Sequence, residues 1–472
     1  MAIRKYLVQQ IGQNKGAPRI YMETQFLALA GFVPGAAYNR KVDDGKIVLR
    51  LDDYGQYRVS RKERGGKVFP VIDINSKEAL SALDGLKAVR LVIQDGVISA
   101  MPIASEANAR RRLRRLRENL SRGQLVSASL SHGGGILDNA AHHGLADAGI
   151  EAQMAFANEI DDDLMEHSRG RNEVWGAGSM GLAAPMQEAV QDEWLMQRIP
   201  QVDVLAVGIP CSGASRAGAS KRGLDMMESH PEVGHLAASF LMVVQRTQPA
   251  VVVVECVKEY QQTASAQIIR QHLRDSGYSV NEVILNGKEF GVLENRTRWF
   301  MVAATNGIEV DLAGIAPVCN PVRTVSEVLE EVPLDDPSWR DFQYLKTKAI
   351  RDAEKGNGFG MQIVHPTDTS VPVLRKGYHK GGSTDPLLAH PDRDGIYRLF
   401  TAKEHARIKQ VPEHLIDDMA QGRAHQLLGQ SVLYALVKAL FRRLGQSLNV
   451  WDSELHQGQR STPVYNLARA TG

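Results

Sequence analysis

Cys211 sits in the segment Val207-Gly208-Ile209-Pro210-Cys211-Ser212-Gly213-Ala214-Ser215. The apolar run 202–207 before it reads as a buried parallel strand, because it is short, rich in Val and Leu, and ended by Gly and Pro. A thiol at the carboxyl end of such a strand stands at the rim of an open α/β sheet, where ligands bind. It is a nucleophile if its thiolate is favoured and a small core residue otherwise. A second apolar run, 250–254, ends in Glu255, a candidate for general acid or base work. Arg296 and Arg298 follow in Glu294-Asn295-Arg296-Thr297-Arg298. Two arginines at i and i+2 of a strand face the same way and can aim at one site. There they would hold developing negative charge, although a solvated strand edge is the plainer reading of the pair.

A second group of residues suits a nucleoside. Leu130-Ser131-His132-Gly133-Gly134-Gly135 directly follows a predicted strand and precedes a helical stretch. Glycines at a strand-to-helix turn let a ligand approach the backbone. A tight turn with no ligand is the alternative. Glu159 ends the next strand, in Met154-Ala155-Phe156-Ala157-Asn158-Glu159, where an acid suits the two hydroxyls of a ribose. A surface carboxylate would look the same.

These positions require a scaffold of alternating strands and helices. Apolar runs at 125–130, 154–158, 202–207, 250–254, 280–285 and 299–303 alternate with helical patterns at 233–246 and 264–275. That rhythm predicts βαβ units and a mixed, mostly parallel, Rossmann-like sheet. Residues 311–395 lose the rhythm and gain Gly, Pro, Asp and Thr, as an inserted domain would. The pattern returns at 399–408, and a last helix is expected at 431–444. The catalytic domain is therefore drawn as 124–310 plus 396–448, with a loose polar tail at 449–472. Residues 1–102 read as a separate β-rich domain. Asp44-Gly45 and Asp95-Gly96 lie between alternating apolar runs, which is a hairpin signal. Between the domains, 103–123 holds arginines 110, 111, 112, 114, 115, 117 and 122 around Leu113, Leu116 and Leu120, a basic helical linker that could follow phosphates.

Bulk composition sets outer bounds. The chain has 472 residues and a net charge of +2, which neither demands nor excludes nucleic acid. Three cysteines, Cys211, Cys256 and Cys319, lack metal-ligand spacing, so no metal is expected. No apolar run reaches the roughly 18 residues of a membrane span, and the amino terminus lacks a secretory pattern. A cytoplasmic protein with a free Cys211 is the expectation.

Taken in order, these segments resemble the motifs of the DNA cytosine-5 methyltransferases. Leu130 to Gly135 is similar to the family's first motif, with Leu130 for Phe and His132 for Gly. Gly178-Ser179-Met180 aligns with the third, where Ser179 replaces an Asp that meets the adenine amine. Pro210-Cys211-Ser212 resembles Pro-Cys-Gln, and Ser215 and Gly218 match further along. Glu255-Cys256-Val257 resembles Glu-Asn-Val. The segment from Phe290 to Arg298 resembles Tyr-Gly-Val-Pro-Gln-x-Arg-x-Arg, with Glu294 for Gln. The stretch from Arg398 to Pro412 resembles Arg-x-Leu-Thr-x-x-Glu-x-Ala-Arg-Leu-Gln-x-Phe-Pro, and Gly429-Gln430-Ser431-Val432 resembles Gly-Asn-Ser-Val.

The resemblance implies S-adenosyl-L-methionine as cofactor, held by Leu130, Ser131, Gly133, Gly134, Gly135, Glu159, Ser179, Pro210, Gln430 and Ser431. It implies methyl transfer to C5 of a cytosine flipped out of double-stranded DNA. Cys211 would add to C6, Glu255 would protonate N3, and Arg296 and Arg298 would hold the pyrimidine. Ser215 and the insertion's Arg375, Lys376, Tyr378 and Lys380 are the candidate DNA contacts. Rival readings are a catalytically altered DNA-binding homologue and a tRNA cytosine-5 methyltransferase. Residues 29–35 also resemble SymE-like, AbrB-type β domains, which suggests DNA binding or a homodimer through the amino-terminal domain.

Overall fold

The computed structural model describes residues 2–460 except 15–16, 44, 77–79, 84, 211–226 and 357–358. The chain divides into two compact units, Met1–Arg111 and Arg112–Gly472.

The larger unit is built on a seven-stranded sheet. Its strands are β1 (Gln124–Leu130), β2 (Glu151–Glu159), β3 (Trp175–Ala183), β4 (Val204–Gly208), β5 (Val251–Val257), β6 (Tyr278–Asn286) and β7 (Thr297–Thr305). They lie in the order β3-β2-β1-β4-β5-β7-β6. The first five are parallel, and β7 runs antiparallel between β5 and β6. The order reverses between β1 and β4, and ligands bind outside the strand ends at such a switch point. The Leu130 and Val207 ends meet there in register.

Both sheet faces are covered, which is why β4 and β5 read as continuous apolar runs. Val204, Ala206, Val251 and Val253 face one core, with α1 (Ile136–Ala146). Leu205, Val207, Val252, Val254 and Cys256 face the other, with helix 236–247. The alternation is the two-residue period of a strand.

Several expected boundaries move. The arginine-rich helix is Ala104–Ser121, but it is no free linker from Arg112 on. Leu116 is fully buried in the larger unit's core. Arg112 is also buried; its Nε donates to Thr305 Oγ1 and its Nη2 to Ser276 O, each at 2.9 Å. Arg115 pairs with buried Asp203 at 3.1 Å. These two arginines pin main-chain ends of the sheet instead of facing phosphates; Arg110, Arg111 and Arg114 stay exposed. The expected tail from 449 is instead the continuation of the last helix, Tyr434–Arg460. Its apolar stripe, Val437, Leu440, Phe441, Leu444, Leu448 and Trp451, keeps helical spacing past 448. The helix lies so close to α1 that a Cβ at Gly144 would stand 2.3 Å from Lys438 O. The insertion's small sheet, Gln362–Val364, Pro386–Ala389 and Tyr397–Arg398, crosses the boundary drawn at 395. Strand β3 carried no apolar run, because it is glycine-rich and bulged against β2 between Met154 and Phe156.

The smaller unit is β-rich, as expected. A six-stranded sheet and a four-stranded sheet enclose Ile20, Leu27, Phe32, Leu49, Val89, Leu91 and Ile93. The Asp95-Gly96 hairpin forms, and strands pair on either side of the first signal, whose Asp44 lies outside the described residues. Gly96 has φ 73° between strands paired at Gln94 and Val97, and Gly45 has φ 69° between strands paired at Asp43 and Lys46.

Candidate active site and cofactor cradle

The turn after β1 is shaped by buried polar groups. Ser131, Gly133 and Gly135 have φ of 54°, 57° and 72°, so the chain coils into the left-handed region before α1 begins. His132 is buried beneath it. Its Nδ1 lies 2.8 Å from Asp138 Oδ2, and its Nε2 lies 2.8 Å from Ser168 Oγ. Ser168 also accepts from Trp175 Nε1 at 3.0 Å. The protonation that satisfies every group puts the ring hydrogen on Nδ1. His132, a departure from the family pattern, is thus a strut. Asn172 Nδ2 donates to Gly135 O at 3.0 Å, and a Cβ at Gly135 would meet Asn172 and His132 within 2.7 Å.

Glu159 stands beside this turn. Its Oε2 accepts from Gly133 N at 2.6 Å, and its Oε1 from Ile160 N and Asp161 N at 3.0 and 3.1 Å. Three amide donors fix the carboxylate at the end of β2 and leave one lone-pair site, on Oε2, for a ligand hydroxyl. Ile160 next to it is 68% exposed, an apolar side chain beside the acid. The helix Gln421–Gln430, the closing helix, comes over the turn. A Cβ at Gly134 would stand 2.7 Å from Leu427 Cδ2, and Arg423 pairs with Asp161 at 2.5 Å. The closing helix ends at Ser431, whose hydroxyl donates to Leu428 O at 2.8 Å, while Gln430 is exposed. Gly133, Gly134, Gly135 and Glu159 are brought together, with Leu427 and Arg423 of the closing helix against them.

Ser179 is not brought to this edge. It lies in the bulge of β3, four residues before Ala183, the register partner of Glu159. Its hydroxyl donates to Met154 O at 2.5 Å and accepts from Gly176 N at 2.8 Å. The segment leaving β3 is Ala183-Ala184-Pro185, which offers no carboxylate. Buried Asn158 fixes that segment instead, donating to Leu182 O and Ala184 O at 2.9 and 2.8 Å. Sequence reasoning missed Asn158, although it adjoins Glu159 in the same strand.

Glu255 lies on β5 opposite Gly208 of β4. Its main-chain oxygen accepts from Ile209 N at 3.0 Å, so the carboxyl group is fixed beside the strand that leads into Pro210. Arg298 Nε stands 2.8 Å from Glu255 Oε1, with both side chains 11% exposed. Cys256 is buried, with Sγ 3.4 Å from Ile209 O, and so braces the same strand end. Pro210 is the last described residue of this segment; Cys211, Ser212 and Ser215 lie outside the described residues. Arg296 does not share the target of Arg298. It is buried, with Nη1 3.4 Å from Glu294 Oε1 and Nη2 donating to Gly429 O at 3.3 Å.

In the insertion, Arg375, Lys376 and Lys380 are exposed, and Arg375 pairs with Asp385 at 2.9 Å. Tyr378 is a correction. It is fully buried, its hydroxyl donates to Pro386 O at 2.8 Å and accepts from Phe400 N at 2.9 Å, and it cannot face DNA. Among the described residues no cluster could hold a metal ion, and no helix is long and apolar enough to cross a membrane.

Against known proteins, the larger unit finds consistent relatives. It is similar to the Type II methyltransferase M.NlaX of Neisseria lactamica, 26% identical over 259 residues that cover 53% of this chain and 78% of that one. A DNA-cytosine methyltransferase of Escherichia coli K12 is 26% identical over 356 residues, covering 65% and 71%. Among solved structures, the Dnmt2 methyltransferase of S. pombe superposes with a TM-score of 0.53 at 20% identity, over 69% of this chain and 99% of that one. The Entamoeba histolytica methyltransferase EhMeth gives 0.52 at 17%, over 68% and 98%. These superpositions speak for the Rossmann-like methyltransferase fold. The family model for C-5 cytosine-specific DNA methylases matches residues 139–446. The chain therefore belongs to the C-5 cytosine-specific DNA methylases, enzymes that use S-adenosylmethionine to methylate DNA cytosine.

Proposed function

We propose that this chain methylates C5 of a cytosine flipped out of duplex DNA, through a transient covalent bond from Cys211 to C6. The observation that carries it is the placement of two half-sites on one carboxyl edge of the sheet: the glycine turn with Glu159 at β1 and β2, and Glu255 with Arg298 beside the strand into Cys211 at β4 and β5.

The cradle fits the cofactor's ribose and main chain. Glu159 would accept a ribose hydroxyl on Oε2, the left-handed glycine turn would admit the ligand to the backbone, and Ile160 would cover the purine ring. The adenine amine would have no carboxylate at β3. Bound there, S-adenosylmethionine supplies an electrophilic methyl group. Thiolate addition at C6 gives C5 enamine character, making it a nucleophile. Glu255 would deliver the proton that relieves charge at N3, and Arg298 orients it. Loss of the C5 proton lets the sulfur leave and restores the ring. The target carbon is unreachable inside a duplex, so the base must rotate into the site. Arg375, Lys376 and Lys380 would meet the backbone and flanking bases. The amino-terminal unit would add DNA affinity or self-association.

The test is transfer of labelled methyl to duplex DNA, with tRNA in parallel. A duplex carrying 5-fluorocytosine should trap a covalent complex, because C5 then has no proton to lose. Transfer to tRNA alone would replace the DNA reading. No adduct in a single turnover would sink the covalent step.

A further inference from the structure

Glu294, Arg296 and Lys409 form a buried group of charges, their side chains 0%, 6% and 0% exposed. Removing ions from water is tolerated only where pairing and hydrogen bonds answer the loss. Here the answers come from three separate segments. Glu294 Oε1 accepts from Leu374 N at 2.9 Å, the residue before Arg375. Glu294 Oε2 lies 3.2 Å from Lys409 Nζ. Lys409 Nζ donates to Ser431 O at 3.2 Å, and Arg296 Nη2 to Gly429 O at 3.3 Å, so both cations grip the turn after the closing helix. The main chain repeats the link: Val371 N donates to Leu293 O at 2.8 Å and Asn295 N to Val371 O at 2.9 Å. A Cβ on Gly429 would come 2.3 Å from the carbonyl carbon of Arg375. The last turn of the closing helix, whose Leu427 packs on the cradle at Gly134, and the start of the basic loop therefore touch, with the charges beneath them.

Burial takes the Lys409 ammonium down to about 7, with Arg296 adding to the shift and Glu294 opposing it. His405, also buried, and Arg298 complete the set of cations and histidine that Lys409 feels or acts on. The family pattern has Gln at the positions of both Glu294 and Lys409. Two neutral amides are replaced here by an ion pair at contact distance.

We propose that Glu294 and Lys409 are positioning residues that set the cofactor-closing turn and the DNA-facing loop in one geometry, so that both ligands depend on one buried ion pair. This rests on the functional reading above. Full-length wild type is first titrated with S-adenosylmethionine alone and with a DNA duplex alone. If it binds neither, that reading falls, and this one with it. If it binds both, the variants Glu294→Gln, Lys409→Gln and the double variant are titrated after their folding is checked by melting. Each single change should weaken both ligands by about tenfold, the usual range for coupled sites. Glu294→Gln should be worse, since it removes the carboxylate that both Arg296 and Lys409 face, whereas Lys409→Gln keeps the Glu294–Arg296 pair. The double variant should return both constants to within about threefold of wild type, since two neutral amides replace the Glu–Lys pair and the net charge around Arg296 is unchanged. Folded single variants that keep either constant unchanged, or a double variant as weak as the singles, would overturn the proposal. If neither single variant folds, the folded double variant decides: binding of both ligands supports it, and loss of either overturns it.

Discussion

Glu255 is the residue on which the proposed acid chemistry turns. Its carboxyl group is nearly buried and directed by Arg298 at 2.8 Å. Glu255→Gln keeps the shape and removes the transferable proton, so the single-turnover rate should drop by on the order of 10²-fold or more. An unchanged rate and pH profile would remove Glu255 from the site. Cys211→Ser should abolish transfer and adduct formation while cofactor binding survives, because the cradle is built on β1 and β2. Near-normal turnover of that variant would reassign the nucleophile. Tyr378 makes the opposite prediction. Its ring is core and its hydroxyl holds Pro386 O, so Tyr378→Phe should lower stability by about 1 kcal/mol and leave DNA affinity unchanged. A loss of affinity without a loss of melting temperature would restore it as a DNA contact.

Among the elements, the arginine-rich helix behaves as part of the sheet's cover. Leu116 is fully buried, and Arg112 is held by main-chain oxygens at the carboxyl end of a neighbouring helix. A chain starting near Gln124 should therefore fail to fold, and one starting near Ser105 should fold and bind cofactor. Leu116→Ala in the full chain should cost roughly 2–5 kcal/mol, read by denaturant unfolding. Folded, active protein from the shorter chain would show that the helix is dispensable. Buried histidines add an acid limit. Burial takes His142 and His425 down to about 4, and His405 well below its usual range. In the unfolded chain each would titrate near 6.5. Between those values the unfolded state binds more protons, so stability is complete above about 6.5 and is lost as pH falls towards 4. Melting temperature should fall across that window, and His425→Gln should make the fall shallower. An equal slope in both proteins would exclude His425 from the acid transition.

At the scale of the whole molecule, the chain is two units, and the site described here lies within Arg112–Gly472. Removing residues 1–104 should leave methyl transfer intact. If the amino-terminal unit contributes phosphate contacts, its loss should lower DNA affinity and flatten the dependence of affinity on salt. If it mediates self-association, the loss should lower the mass in solution. A truncated protein with unchanged affinity, salt slope and mass would leave that unit without either role.

The sequence by itself determined the sheet and its edge. Short apolar runs closed by turn residues read as strands buried on two faces, and residues placed at their ends stand at the sheet's rim; Glu159 and Glu255 were legible for that reason. It also located the glycine turn, because glycines after a strand are needed where φ turns positive. Only the tertiary structure decided what each polar side chain does there. Ser179 is separated from the rim by a bulge that no periodicity announces, and Arg296 and Arg298 part company because one is drawn to buried Glu294 and the other to Glu255. Tyr378, set among basic loop residues, turns inward because a buried pocket offers partners for its ring and hydroxyl. Local pattern encodes which face a residue is offered to. The partner that satisfies its charge is set by the fold, as where Glu255 and Arg298 meet from separate strands, and that pairing exists only once the chain has folded.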